Sequence, residues 1–269
     1  MVGKLYKHEF KAWLRVMSII YGITLAVAVM LRVAQIFESD SVYYNIIFGS
    51  GVAMYIIALL VSFASPVVFG VVRFYRNLFT GEGYLTFTLP ATPANHLGVK
   101  VTTAVAFSVL SILVCIGSVM IVTAGEVFAE ICKAADYLIR LIPGDIAGHL
   151  AGFCVEFVLL LLVGFFVEHL LLDTCVCIGQ LFRKNRVLAA VGVYFGIYLI
   201  TQVLSTALSV GMVVLEEAGT LEPLYALIAE NPYETAHIVL CGLVVLCAVM
   251  VLIYYLVCHW IMRKKLNLE

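Results

Sequence analysis

Residues 101–125 read VTTAVAFSVLSILVCIGSVMIVTAG, a stretch without any Asp, Glu, Lys, Arg or His. A helix needs about 20 predominantly apolar residues to cross the hydrocarbon core of a bilayer, so this stretch predicts a transmembrane helix. Of the 269 residues, 64% are hydrophobic and only 12% are charged, and the mean hydropathy is +1.10. Because so few charges cannot cover the surface of a soluble domain, the composition predicts an all-α integral membrane protein. It excludes a soluble enzyme, a disordered chain and a fibrous repeat.

Five further apolar stretches resemble the first in length. They predict a bundle of six transmembrane helices in a single domain, residues 1–269. The fourth stretch is the least regular, because Glu156, Glu168 and Asp173 interrupt it. The predicted spans cover residues 16–37, 41–72, 101–125, 151–180, 187–215 and 235–262.

The basic residues predict the orientation of these spans. Six spans place 13 of the 16 Lys and Arg residues on one face, and only Arg32, Lys133 and Arg140 on the other. Cytoplasmic loops carry the excess of Lys and Arg in membrane proteins, so both termini are predicted to be cytoplasmic. The net charge of −1 offers no basic surface for nucleic acid.

Short amphipathic segments flank the spans. Lys4, Lys7, Lys11 and Arg15 recur at helical spacing opposite Tyr6, Phe10, Trp13 and Met17, which predicts an elbow helix in the cytoplasmic headgroup layer. Residues 126–143 predict an amphipathic helix on the outer rim, and residues 220–230 predict a shorter one. Asn231 and Pro232 are typical of an N-cap and first turn that open the sixth span.

The inner loop between the second and third spans has its own pattern, RFYRNLFTGEGYLTFTLPATPANHLGVK at residues 73–100. Gly81 and Gly83 flank Glu82 and permit a tight turn. An alternating segment follows and stops at Pro90, and Thr92-Pro93 predicts the start of a short helix leading into the third span. An ordered loop with an apolar stripe and one isolated carboxylate suits docking to a partner protein. The alternative is a loop that packs under its own bundle.

This loop resembles the inner loop of bacterial six-span permeases of ATP-binding cassette transporters, in the export-type (type-2) superfamily. The shared pattern is Asn-Leu, then a Gly-Glu-Gly-Tyr-Leu-x-Phe-Thr-Leu-Pro core, then a Lys that opens the next span. The segment from Lys7 to Lys11 and the turn from Gly179-Gln180 to Arg186 are also similar to that family. The residues of the loop that carry the resemblance are Asn77, Leu78, Gly81, Glu82, Gly83, Tyr84, Leu85, Phe87, Thr88, Leu89, Pro90 and Lys100.

The resemblance implies a permease of the bacterial cell membrane that works as a dimer, with an identical or paralogous second permease subunit. Two cytoplasmic ATPase subunits would bind ATP and Mg²⁺ and drive export. The family's contact with the ATPase implies coupling roles for the elbow residues Lys7, Phe10 and Lys11. It implies the same for the loop residues Gly81, Glu82, Gly83, Tyr84, Phe87, Thr88 and Pro90. Independently, the chain has no GxxxxGK[ST] phosphate loop, so any ATP would be bound by another chain. It also has no CxxC motif and no Cys/His set with zinc spacing, and we expect no catalytic residue, cofactor or metal here.

A polar group inside the fourth span is the candidate intramembrane site. Ionisable side chains at mid-bilayer are costly, and His169 and Asp173 share a helix face. Glu168, His169 and Asp173 are predicted to contact or gate substrate, with Gln202 on a polar stripe of the fifth span. The alternatives are a structural clamp between spans, or a cytoplasmic end of the fourth span that lies closer to these residues than the predicted boundary. Glu156 and Arg32 are assigned to outer span ends, and His237 and His259 to opposite ends of the sixth span.

Other function classes remain open at this point. A membrane-embedded enzyme would use Glu168, His169 and Asp173, with Cys175 as a further group, but it needs convergent groups from several spans. A scaffold or sensor without transport fits the composition but leaves the patterned loop unexplained. Secondary transport is a further alternative, although no internal two-fold similarity is apparent. The cargo is not identified by any residue pattern.

Overall fold

Helices account for nearly all of the chain that the computed structural model describes, residues 2–37, 41–80, 92–141, 144–182 and 184–264. Within these ranges there is no β-strand. In chain order the helices are α1 (Val2–Ile36), α2 (Val42–Phe79), α3 (Pro93–Val122), α4 (Glu126–Leu141), α5 (Gly144–Gly179), α6 (Arg186–Glu217), α7 (Glu222–Glu230) and α8 (Pro232–Lys264).

Among the described residues, six helices are long and apolar enough to cross a membrane: α1, α2, α3, α5, α6 and α8. The prediction of six spans in a multi-pass membrane protein is therefore confirmed. The shortest of the six, α3, has 30 residues. At 1.5 Å per residue it is about 45 Å long, whereas the hydrocarbon core is about 30 Å thick. Each helix therefore extends beyond the core, and the ends can carry polar contacts.

Several of the predicted spans are shorter than the helices that the structure shows. The doubtful fourth span is one continuous helix, Gly144–Gly179, in spite of its three acidic residues. At the inner loop, α2 continues to Phe79 rather than ending at residue 72, because Phe74 and Leu78 are buried on its last turns. The segment after Pro93 is the start of α3 itself rather than a separate short helix. Thr92 caps it by accepting a hydrogen bond from the Asn95 backbone N–H at 3.3 Å.

The amphipathic N-terminal segment is helical, but the described structure does not separate an elbow helix from the first span. Residues 2–36 form one helix without a break. The physical reason is a continuous buried stripe, since Glu9, Trp13, Met17 and Tyr21 follow one another at four-residue spacing along one face. The same face therefore packs from the basic segment into the apolar one.

The other amphipathic predictions are confirmed as helices. α4 covers the predicted outer segment, and α7 covers the shorter segment before the sixth span. α8 begins at Pro232, where Asn231 O accepts a hydrogen bond from the Thr235 backbone N–H at 3.1 Å. This is the first-turn proline that the Asn-Pro pair predicts.

The chain is divided into two compact units, Met1–Ile142 and Pro143–Glu269. The prediction of a single transmembrane domain stays a prediction. In the N-terminal unit α1, α2 and α3 pack against one another. The Trp13 ring stacks on Phe107 at 5.1 Å and meets the edge of Phe69 at 4.9 Å. Small polar residues join the helices, as in the 2.6 Å hydrogen bond between the hydroxyls of Thr24 and Ser62.

In the C-terminal unit α5 packs on both α8 and α6, and α7 packs on α8. The Thr174 hydroxyl of α5 donates to the Tyr254 carbonyl at 3.3 Å and lies 3.2 Å from Cys258 Sγ of α8. Near the other end, Glu156 of α5 contacts His237 of α8. The first half of α5 contacts the first half of α8, and the second half of α5 contacts the second half of α8. The two helices therefore run parallel. This is the direction that the fourth and sixth of six alternating spans must share.

Candidate functional site: two polar clusters

The predicted coupling loop lies outside the described residues. Gly81, Glu82, Gly83, Tyr84, Phe87, Thr88 and Pro90 all fall in this gap, so the prediction of their role stays a prediction. The described structure gives the two ends of the loop. α2 ends at Phe79, with Thr80 as its C-cap, and α3 begins at Pro93. Both ends are therefore held by helices of the N-terminal unit.

Glu9 joins these two helices to α1 through ion pairs. Its carboxylate accepts hydrogen bonds from Arg73 Nε at 2.6 Å and Arg73 Nη2 at 3.0 Å, and from Lys100 Nζ at 3.3 Å. Two parallel bonds from one guanidinium are the strongest form of such a pair. We call Glu9, Arg73 and Lys100 the Glu9 cluster.

The Glu9 cluster is largely removed from solvent. The side chains of Glu9, Lys100 and Arg73 are 6%, 9% and 17% exposed. An ionised carboxylate at such a site is stable only when it is paired and hydrogen-bonded. The cluster therefore fixes the start of α1 against the end of α2 and the start of α3, on both sides of the loop.

The three predicted elbow residues occupy the same end of the N-terminal unit. Lys7 and Lys11 are exposed, and the Phe10 ring lies 5.0 Å from the Phe107 ring of α3. One turn earlier, the Tyr6 hydroxyl is 2.7 Å from the Thr102 hydroxyl. The N-terminal segment thus packs on α3 while its lysines remain accessible.

The four residues predicted to form an intramembrane polar site differ in exposure. His169 and Asp173 are buried on α5, at 3% and 6% exposure. Glu168 on α5 and Gln202 on α6 are exposed. The four side chains therefore do not share one environment, and their predicted role in transport stays a prediction.

A second polar cluster joins α5 to α8, and sequence reasoning missed it. His237 Nδ1 lies 2.7 Å from Glu156 Oε1, and His237 Nε2 lies 3.1 Å from His149 Nδ1. The Phe153 ring stacks on the His237 imidazole with 4.1 Å between ring centroids and 9° between planes. We call His149, Glu156 and His237 the His237 cluster.

Helical periodicity in the sequence indicates which members of this cluster share a helix face. His149, Phe153 and Glu156 are spaced four and three apart, so they share one face of α5, and Tyr233, His237 and Cys241 share one face of α8. The sequence analysis places Glu156 and His237 each at an outer span end, but nothing local shows that these ends meet. The Glu9 cluster was missed for the same reason.

Within the described ranges no three His, Cys, Asp or Glu side chains are arranged to hold a metal ion. The His237 cluster forms a line of hydrogen bonds rather than a shell around one point. The geometry of both clusters is that of charge pairing and hydrogen bonding between helices.

Comparisons with protein-family models, with curated proteins and with solved structures find no match for this chain.

Proposed function

We propose that this chain is the permease subunit of an ATP-driven exporter in a bacterial cell membrane. In this proposal two permease subunits, identical or paralogous, assemble with two cytoplasmic ATPase subunits that bind ATP and Mg²⁺. The chain itself catalyses no covalent chemistry. The helical core changes between two access states when the ATPases close, because their closure moves the inner loop.

The observation that carries the proposal is the Glu9 cluster at the roots of the inner loop. Arg73 lies on the last turns of α2 and Lys100 on the first turns of α3, and both pair with Glu9 of α1. A displacement of the loop is therefore passed to three membrane helices together rather than being absorbed at a free hinge. This mechanical connection supports the coupling role that the loop's resemblance implies.

The distribution of basic residues supports the proposed orientation. The Glu9 contacts bring the start of α1, the end of α2 and the start of α3 to one end of the N-terminal unit. The basic residues Lys4, Lys7, Lys11, Arg15 and Arg76 belong to the same helix ends. Such a concentration of positive charge favours the cytoplasmic side.

The first test is whether the adjacent reading frame encodes an ATPase with a phosphate-loop lysine motif, and the direct test is reconstitution of the permease with that ATPase. We expect the two proteins to co-purify in lipid nanodiscs, and we expect the permease to stimulate ATP hydrolysis. Tyr84→Ala should weaken the complex at least about tenfold, since buried aromatic residues dominate such interfaces. The matched control is Tyr137→Ala, because Tyr137 is exposed on α4, on the predicted opposite face.

Each result of this experiment has a defined meaning. If the wild-type chain forms no stable complex with the ATPase, the proposal is wrong. A complex that neither stimulates hydrolysis nor moves substrate would instead indicate a scaffold or sensor. An equal loss of affinity for the ATPase in Tyr84→Ala and Tyr137→Ala would contradict the coupling role of the inner loop.

A further inference from the structure

The His237 cluster is a hydrogen-bonded chain of three titratable groups inside the C-terminal unit. We propose that His149, Glu156 and His237 form a binding site for one proton, which the two imidazoles pass between them by exchanging tautomers. This inference rests on the contacts between α5 and α8 alone and does not depend on the transport proposal.

Without the extra proton, the hydrogen bonds assign each tautomer. Ionised Glu156 only accepts, so His237 donates from Nδ1 across 2.7 Å and keeps a lone pair on Nε2. That lone pair faces His149 Nδ1 at 3.1 Å, so His149 donates from Nδ1 and keeps its own lone pair on Nε2. The net charge of the three groups is then −1.

One proton can enter without the loss of either hydrogen bond. It binds at His149 Nε2, the Nδ1 proton of His149 moves to His237 Nε2, and His149 ends as the opposite neutral tautomer. His237 is then an imidazolium that donates to Glu156 from Nδ1 and to His149 from Nε2. The net charge becomes zero, and the carboxylate gains a full positive partner.

The surroundings of Glu156 favour this uptake. Its Oε2 is buried and, among the described residues, has no hydrogen-bond partner. No Lys or Arg in the described part of the chain pairs with this carboxylate. An ionised carboxylate in such a site is unfavourable unless a positive charge compensates it. The imidazolium of His237 is the compensating charge that the geometry supplies.

A second proton is excluded by the same geometry. If His149 were also an imidazolium, its Nδ1–H would face the Nε2–H of His237 across 3.1 Å. Two donors would oppose each other, and two like charges would lie in contact. The site therefore binds one proton and not two.

Two other titratable side chains, Cys241 and Tyr233, contact the site, but neither takes the place of a hydrogen bond between His149, His237 and Glu156. Cys241 donates weakly to Glu156 Oε1 at 3.7 Å, and the Tyr233 ring stacks on His149 at 5.6 Å. The acidic side chains at the end of α6, in α7 and at the start of α8 are exposed: Glu216, Glu217, Glu222, Glu230 and Glu234.

Gly152 allows the close approach that the site requires. An added Cβ at this position would lie 2.8 Å from His237 Cε1, closer than atoms can pack. The imidazole therefore lies directly against the α5 backbone, and Phe153 stacks on its face. The ring is held in place by packing, so its two nitrogens point along the chain of hydrogen bonds.

The test is nitrogen-15 NMR of the full chain in lipid bilayers with only its histidines labelled, titrated over about pH 5 to 8, the range in which histidine changes charge. We expect His149 to change from the Nδ1–H to the Nε2–H tautomer in the same step in which His237 becomes an imidazolium. Signals are assigned with His149→Gln and His237→Gln.

Two variants perturb the site in different ways. Glu156→Gln removes the carboxylate that accepts from His237 Nδ1, so the coupled tautomer change of His149 should be lost over this pH range. Gly152→Ala removes no titratable group, yet it should abolish the coupled tautomer change by displacing the ring. Glu168→Gln and His259→Gln are the controls on the same two helices, and neither should alter the titration.

The proposal is overturned if His149 and His237 titrate in separate steps, or if His149 becomes the imidazolium. It is also overturned if Glu156→Gln leaves the coupled tautomer change of His149 intact. Should a variant fail to fold, the tautomer change of the wild-type chain still decides the question. These readouts involve no ATPase, so they are independent of the transport experiment.

Discussion

At the scale of single residues, Glu9 is the acidic member of a buried ion-pair cluster between three helices. It is a carboxylate with 5% exposure that two basic side chains from other helices surround. Removing one member of a buried ion pair leaves the others charged and desolvated, which costs far more than the loss of a surface pair. The stability of the N-terminal unit therefore depends on this side chain.

We expect Glu9→Gln to lower the free energy of unfolding by about 3 kcal/mol, because Arg73 and Lys100 lose their counter-charge. The measurement is thermal or denaturant unfolding of the purified protein in detergent. The matched control is Glu130→Gln, whose pair with Lys133 is more than 70% exposed on both sides and should change stability by less than about 1 kcal/mol. Equal effects of the two substitutions would contradict the role of the Glu9 cluster.

At the scale of elements, the crossing of α5 and α6 depends on one glycine. A Cβ added at Gly179 would lie 2.7 Å from Ala190 Cβ and 2.8 Å from both the Ala190 nitrogen and the Arg186 carbonyl oxygen. These are mostly backbone atoms, which cannot rotate away as a flexible side chain can. The end of α5 and the start of α6 therefore approach as closely as their backbones permit at Gly179.

Gly179→Ala should force α5 and α6 apart and lower stability by about 1–3 kcal/mol, as overpacked cores do. Unfolding of the purified chain measures this change. Gly164→Ala is the control on the same helix, because nothing lies within 4 Å of its added Cβ and alanine favours a helix over glycine. A stable Gly179→Ala variant would show that the close crossing is not required.

At the scale of the whole molecule, the orientation in the membrane is the property that the transport proposal needs most. The basic residues predict cytoplasmic loops between the second and third spans, whereas α4 and its exposed Cys132 are predicted to lie on the other side. Cys132 is thus a natural reference thiol for the predicted opposite face.

Labelling with a membrane-impermeant maleimide tests this orientation. In intact cells we expect the reagent to modify Cys132 of the wild-type chain, and Cys132→Ser to supply the background. Thr88→Cys in the Cys132→Ser chain should react only in inverted vesicles, because the inner loop is predicted to face the cytoplasm. Modification of Thr88→Cys in intact cells would place the loop outside and remove the basis for coupling to an ATPase.

Much of the fold can be read from the sequence because membrane insertion depends on a local quantity, the apolar length of each segment. That quantity predicts the six helices and even the interrupted α5. The capping residues Thr92, Pro93 and Pro232 likewise act on their own helix ends. Boundaries taken from charge are less accurate, since Arg73 and Lys100 look like loop residues but lie inside α2 and α3.

The sequence by itself therefore determined the class of protein, its six spans, its amphipathic segments and the faces that polar residues share along each helix. Only the tertiary structure decided which faces meet. Glu9 pairs with residues 64 and 91 positions away, and His237 pairs with Glu156 across 81 positions. Helical periodicity shows which side chains share a face, but the partner of that face is set by packing between distant helices, which no local pattern contains.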